Sequence, residues 1–189
     1  MTTAKKLLTA DDLLAMPDDG KRYELIRGEL VAVPLTSHEH GRVAERFGRR
    51  IGNFAEERDL GHDVAADTGI HIEHNPDTVC APDYGFISYE RMAEPPPSRG
   101  YADVIPDLVL EVVSPNDRQA EIDAKTQMWL EAGVRLVLVA YPETREVYAH
   151  HDDGSVMRYG MGDTVVGDPV LPGFACPVDG IFAFGPRQG

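Results

Sequence analysis

Six consecutive residues, Leu108-Val-Leu-Glu-Val-Val113, are apolar except for Glu111. A run this short and this apolar predicts a strand covered on both faces, at the centre of a sheet. Asn116 or Asp117 can then cap a helix that runs to about Ala132-Gly133, and Val134 to Ala140 forms a second apolar run. Strand, helix and strand at this spacing predict a crossover unit whose two strands are parallel neighbours. The chain is therefore read as α/β. Glu111 is the anomaly in it. An unpaired carboxylate inside a sheet costs on the order of several kcal/mol, so it must meet a cation or hydrogen-bond donors. The helix offers Lys125, on the same stripe as Ile122, Trp129 and Ala132. Such a lysine in isolation more often snorkels its ammonium to the edge. The carboxylate on the strand before it tips the reading toward an inward, chemical role.

A second carboxylate, Asp83, stands in Ala81-Pro-Asp-Tyr-Gly-Phe-Ile-Ser88, where Pro82 to Ser88 reads as another strand. Carboxylates on neighbouring strands, close enough to share one ion, can hold a hard cation, because Mg²⁺ takes one or two carboxylates plus water and phosphate oxygens. A lysine beside them can orient the attacking water or neutralise charge developing on phosphate. Asp83, Glu111 and Lys125 together form the equipment of metal-dependent phosphodiester cleavage.

Before this region, Thr9 to Pro17 reads as a short capped helix, and Tyr23 to Val33 as a hairpin folded at Arg27-Gly28. On that hairpin Glu24 shares a face with Ile26 and Val31, so it is either a strand-edge residue or an inward functional carboxylate. From about Glu39 to Arg58 the spacing of Val43, Phe47, Ile51 and Phe54 is helical. Val64 to Glu73 and then Pro82 to Ser88 read as two or three strands. Pro95 to Gly100 is the clearest loop and interrupts the chain between Asp83 and Glu111. Arg145 to His150 and Ser155 to Tyr159 predict a hairpin, and the turn-rich tail beyond about residue 160 predicts a surface wrap.

Composition narrows the function. At 189 residues and 42% hydrophobic content the chain suits one globular domain, residues 1–189. No run approaches the roughly 20 apolar residues of a membrane span, and the N-terminus lacks the apolar stretch of a signal peptide. Two isolated cysteines suit a reduced, cytoplasmic setting. The net charge of −14 argues against simple electrostatic binding of nucleic acid. Residues 1–60 are close to neutral, with ten basic and eleven acidic residues, so any basic surface must come from that third. Arg42, Arg46, Arg49 and Arg50 fall along one side of the predicted helix, either as a phosphate-tracking stripe or as a solvated face.

Other chemistries find less support. His38 with His40, and His71 with His74, raise zinc, but catalytic zinc sites use three ligands and structural ones four, and no cysteine pair completes either. His40, at the start of the arginine-bearing helix, reads as a phosphate contact, a proton carrier or a surface residue. Ser114 lacks the Gly-X-Ser-X-Gly elbow, and no phosphate-binding glycine fingerprint occurs.

Several segments together resemble one family. They are Arg22-Tyr-Glu-Leu-Ile-Arg-Gly-Glu-Leu30, Ser37-His-Glu-His40, Ala81 to Ser88, Pro106-Asp-Leu-Val-Leu-Glu-Val-Val-Ser-Pro115, and Asp123-Ala-Lys125 through Ala132-Gly-Val134. Running in order over roughly residues 10 to 150, they resemble the Uma2-like restriction endonucleases, formerly the DUF820 group, of the PD-(D/E)XK nuclease superfamily. The resemblance implies a restriction-endonuclease-like core, a mixed β-sheet flanked by α-helices, with Asp83 and Glu111 as metal ligands. The superfamily's usual Glu-X-Lys is broken, since Val113 stands two residues after Glu111. In Uma2-like proteins the lysine lies on the following helix, which matches Lys125. Glu24 and His40 fall where the family carries further acidic and histidine residues, which gives a catalytic set of Asp83, Glu111, Lys125, Glu24 and His40.

The expectation is an endonuclease dependent on Mg²⁺ or Mn²⁺ and acting on nucleic acid, DNA before RNA. Arg42, Arg46 and Arg49 or Arg50 are expected to flank its cleft. A homodimer is compatible with such folds, although no interface can be read from the residues. The alternative is a non-catalytic, nuclease-derived fold that binds nucleic acid or a protein.

Overall fold

The computed structural model describes residues 6–94 and 99–185. Of the expected loop at 95–100, residues 95–98 lie outside the described residues. Elements are labelled in chain order. The main sheet has the spatial order β10 (Val156–Tyr159), β9 (Glu146–His151), β8 (Leu136–Tyr141), β7 (Leu108–Val112), β6 (Tyr84–Ser88), β3 (Gly61–Ala65). It is mixed. β7 and β8 run parallel, from Leu108 opposite Leu136 to Val112 opposite Ala140. The other neighbours in this sheet are antiparallel.

The parallel pair is joined by α3 (Gln119–Ala132), the expected crossover. Its cap differs from expectation. The Asp117 carboxylate accepts the Ser114 N–H at 2.7 Å and so holds the preceding turn. Arg118 takes the cap position, with its N–H donated to Glu121 Oε2 at 3.3 Å. Gly133, with φ 103°, ends the helix in the left-handed conformation that glycine adopts without a Cβ penalty.

Alternation along the central strands sends side chains to two cores. Leu108, Leu110, Leu138 and Ala140 pack with Val43, Phe47 and Ile51 of α2 (His38–Glu57). Val109, Val137 and Val139 pack with Trp129 of α3 on the opposite face. Glu111 alternates with Val109 and therefore points under α3.

The C-terminal segment does more than wrap the surface. β11 (Thr164–Val166), β12 (Ala175–Pro177) and α4 (Val178–Phe182) bring Val165, Leu171, Val178 and Ile181 into the α2-side core, all fully buried. The expected surface tail is thus part of the packing of the sheet.

A second, four-stranded sheet has the order β2 (Glu29–Val33), β1 (Arg22–Ile26), β5 (Thr78–Cys80), β4 (Ile70–Glu73), with α1 (Ala10–Leu14) beside it. The β1–β2 hairpin turns at Arg27-Gly28, where both φ values are positive, as the sequence predicts. The span Val64 to Glu73 is not one strand. It breaks around Asp67, at φ 67°, and its halves join different sheets as β3 and β4.

Glycines on α2 let the helix approach β6. A Cβ on Gly48 would stand 2.6 Å from the Tyr84 ring, whereas one on Gly41 would meet nothing within 4 Å. Gly48→Val should therefore lower unfolding free energy by about 1–3 kcal/mol in a urea titration, through overpacking. Gly41→Ala, which removes only backbone freedom, should be neutral or stabilising by up to about 1 kcal/mol.

Candidate active site

Between α2, the start of β6 and the smaller sheet lies a cleft of about 790 Å³, whose wall includes Glu24, His40, Asp83, Lys125, Arg22 and Arg49. Asp83 immediately precedes β6. Since Tyr84 lies opposite Leu110, the same register carried one residue further sets Asp83 opposite Glu111.

Glu111 is not on the cleft wall; it lies behind Lys125. Its Oε2 accepts from the Lys125 ammonium at 3.0 Å and its Oε1 from the Trp129 indole N–H at 2.8 Å. Burial pushes the Glu111 carboxyl up to about 7, a shift that Lys125 opposes and the Asp83 charge reinforces. Burial alone would lower the Lys125 ammonium. The carboxylates of Glu111, Glu24 and Asp83 outweigh it and hold Lys125 above its ordinary value, hence protonated. The side chain is 33% exposed, so one end of this buried pair reaches the cleft.

Glu24 comes from β1. Its Oε1 accepts the Ala81 N–H at 3.1 Å and lies 3.8 Å from the Lys125 ammonium. Glu24 thereby ties the smaller sheet to the residues just before Asp83. Asp83 Oδ2 accepts the Val112 N–H at 2.7 Å and lies 3.1 Å from His40 Nε2. Both contacts fall on Oδ2. His40 is buried at the N-terminal turn of α2, which Ser37 Oγ caps by accepting the His40 N–H at 3.2 Å. Burial works against its charged form, but Asp83 more than compensates, and the His40 pKa is raised. The structure thus joins Glu24, Glu111 and Lys125 by ion pairs and His40 with Asp83, and the Asp83 charge acts on both Glu111 and Lys125.

A family model described as "Putative restriction endonuclease", Uma2, matches residues 10–179. The chain belongs to the Uma2 family. A solved structure from Anabaena variabilis, described as "a putative nuclease belonging to DUF820", superposes with a TM-score of 0.78. It covers 93% of this chain and 97% of its own, at 17% identity, so the likeness establishes a shared fold. A comparison with curated proteins gives no match.

The Uma2 match extends past residue 160 into the segment that completes the α2-side core. Sequence reasoning missed two parts of this Uma2 site. Trp129 was read as apolar, yet its indole N–H satisfies Glu111; its position four residues after Lys125, on the same helix face, was the available signal. Asp107, in the same Pro-Asp motif as Glu111, is buried and structural. It accepts from Arg91 Nε at 2.9 Å and from the Ser88 N–H, and so pins β6 beside β7.

The four arginines divide. Arg42 and Arg46 both donate to the Ala183 carbonyl, and Arg50 donates to the Arg46 carbonyl at 2.9 Å. These three, at i, i+4 and i+8, turn toward the C-terminal segment. Only Arg49 of the set lines the cleft, where its Nε pairs with Glu45 at 2.7 Å. The expected arginine flank is absent because the carbonyl at the end of α4 and the segment around it attract those guanidinium groups. The cleft wall is consequently acidic: Arg22, Arg49 and Lys125 stand against Glu24, Glu45, Glu56, Asp63, Asp67 and Asp83.

Proposed function

We propose that this Uma2 chain is an endonuclease dependent on Mg²⁺ or Mn²⁺ that hydrolyses phosphodiester bonds in nucleic acid, with DNA as the expected substrate. Family membership supports the nuclease class. The observation that carries the reading is the buried Glu111–Lys125 pair behind a cleft whose wall holds Asp83 and His40. A structural ion pair alone would gain little from such burial.

The donor set suits a hard cation. Asp83 keeps Oδ1 clear of its two Oδ2 contacts, and each Glu111 oxygen accepts one hydrogen bond and so retains a lone pair. Two carboxylates leave positions for water and phosphate oxygens, as Mg²⁺ prefers. When bound, the ion supplies charge stabilisation to phosphate oxygens and a more acidic water. Lys125 favours the ionised form of Glu111 against the effect of burial and directs an ammonium at the cleft. His40 fixes the orientation of Asp83 and can hold a proton beside it. Glu24 keeps Lys125 and the Ala81 backbone in place.

An acidic wall admits a polyanion only if divalent cations offset it. Nicking of supercoiled plasmid should therefore require Mn²⁺ or Mg²⁺, and Asp83→Asn should slow it by at least about 10²–10³-fold. Titration calorimetry should register Mn²⁺ binding by the wild type that Asp83→Asn loses. Nicking that persists in Asp83→Asn, or wild type that neither nicks nor binds Mn²⁺, sinks the reading.

The acidic cleft, with three of four arginines turned away, favours a second reading in that case. The fold would then be a non-catalytic module for a basic protein partner.

A further inference from the structure

Away from the Glu111–Lys125 pair, the geometry points to a zinc-class cation site at His71, His74 and Asp103, which clamps the segment carrying Tyr101 onto β4 and so fixes one wall of the cleft. His71 lies on β4 and His74 in the turn after it. Asp103 arrives from a distant part of the chain: the His71 N–H donates to the Ala102 carbonyl at 2.9 Å, and Ile70 bridges Ala102. The third ligand that the sequence failed to supply is thus delivered by the fold.

One ligating atom from each residue lies within 4.8 Å of the other two. Asp103 Oδ1 is 3.1 Å from His71 Nδ1 and 3.6 Å from His74 Nε2. Ligands at about 2.0–2.1 Å from a tetrahedral zinc ion lie about 3.3–3.4 Å apart, between those two values. Two imidazoles and one carboxylate suit Zn²⁺ better than Mg²⁺ or Ca²⁺. His74 and Asp103 are exposed, at 59% and 65%, which gives an ion access and leaves its fourth position to water.

The remaining nitrogen of His71 supplies an independent sign. His71 Nε2 is buried and has no hydrogen-bond partner among the described residues, yet it faces Asp77 Oδ1 at 3.7 Å. A ligating histidine ordinarily directs its other N–H to a carboxylate, which fixes tautomer and ring orientation. Asp77 is itself held by the N–H groups of Ala10 at 2.8 Å and Asn75 at 3.3 Å. The outer shell of a metal site is therefore built.

Its consequence reaches the cleft. Tyr101, two residues before Asp103, lines the cleft wall and packs so closely on Gly69 that a Cβ there would be 2.5 Å from the ring. An ion on Asp103 holds this ring against β4.

The full chain, stripped with chelator, should be titrated with Zn²⁺ against a chromophoric chelator. We expect one Zn²⁺ per chain. His74→Ala and Asp103→Asn, both at exposed positions, should each weaken binding by more than about tenfold, since even a residue supporting a ligand is worth about 10–100-fold. Asp83→Asn should leave the affinity within about twofold, as distant sites do. Zinc should also slow proteolysis near residues 99–103 in the wild type and not in the variants. The proposal is overturned if the wild type takes up no saturable Zn²⁺, if either variant binds as the wild type does, or if Asp83→Asn abolishes binding. Unchanged circular dichroism of the metal-free variants separates ligand loss from misfolding.

Discussion

Lys125→Met should abolish metal-dependent cleavage and, separately, make the protein's stability strongly dependent on pH. The ammonium touches Glu111 at 3.0 Å and lies 3.8 Å from Glu24. Its removal leaves a buried carboxylate with, among the described residues, only the Trp129 indole as donor. Truncating one partner of a buried pair costs about 3–5 kcal/mol. With Lys125 one-third exposed, about 2–3 kcal/mol is the better expectation at pH 8. Near pH 5 the cost should shrink, because Glu111 escapes by taking up a proton. Cleavage should fall by at least about 10²-fold at every pH, as when a preorganised charge is lost from a site. Urea titrations at pH 5 and pH 8, run beside a plasmid-nicking assay, check both parts. Equal destabilisation at the two pH values would mean that Lys125 does not serve Glu111.

Glu111→Gln carries the second large effect. The folded protein raises the Glu111 carboxyl from 4.5 to about 7, so between these values the folded state keeps a proton that the unfolded state has released. Stability contributed by this group is therefore complete below about pH 4.5 and lost as pH rises through about 7. Two to three pKa units correspond to about 3 kcal/mol. His40, whose pKa is also raised, adds a slope of the same sign through Asp83. The variant keeps the larger, Asp83 part of the His40 contribution and loses the smaller part that Glu111 supplies together with that of Glu111 itself, so the difference between the two profiles reports mainly the carboxyl. Thermal melts in chelator from pH 4.5 to 8 should show the wild type losing stability more steeply than Glu111→Gln. Parallel profiles would mean that Glu111 is ionised throughout.

Much of the fold was legible where local chemistry and periodicity agree. The Arg27-Gly28 turn, the period of Val43, Phe47 and Ile51, and the two apolar runs flanking Lys125 each lead to the right element. The link between Glu111 and Lys125 was legible for the same reason, since a buried charge demands a partner and the next helix holds one. What escaped depended on long-range placement. Val165, Leu171 and Ile181 stand in short apolar runs separated by turn residues, too short to carry a period, so nothing local marks them as core. Helical spacing puts Arg42, Arg46 and Arg50 on one side of α2 but is silent about what that side faces, which proved to be the C-terminal segment, with Arg42 and Arg46 on the Ala183 carbonyl. Trp129 is both a packing residue and a donor, and hydropathy registers only the first.

The burial of residues near 165–182 against α2 has a consequence for synthesis. Most of the sheet and α2 leave the ribosome well before their covering does, because α2 begins at His38 and α4 ends at Phe182. Until then one face of the nascent sheet, with Leu110 and Leu138 on it, has only α2 to shield it. Contacts of such long sequence separation form late and slow folding, and the apolar face stays open to other chains meanwhile. Residues 164–183 thus cover this face after the strands beneath it are made, locked by arginines laid down more than a hundred residues earlier.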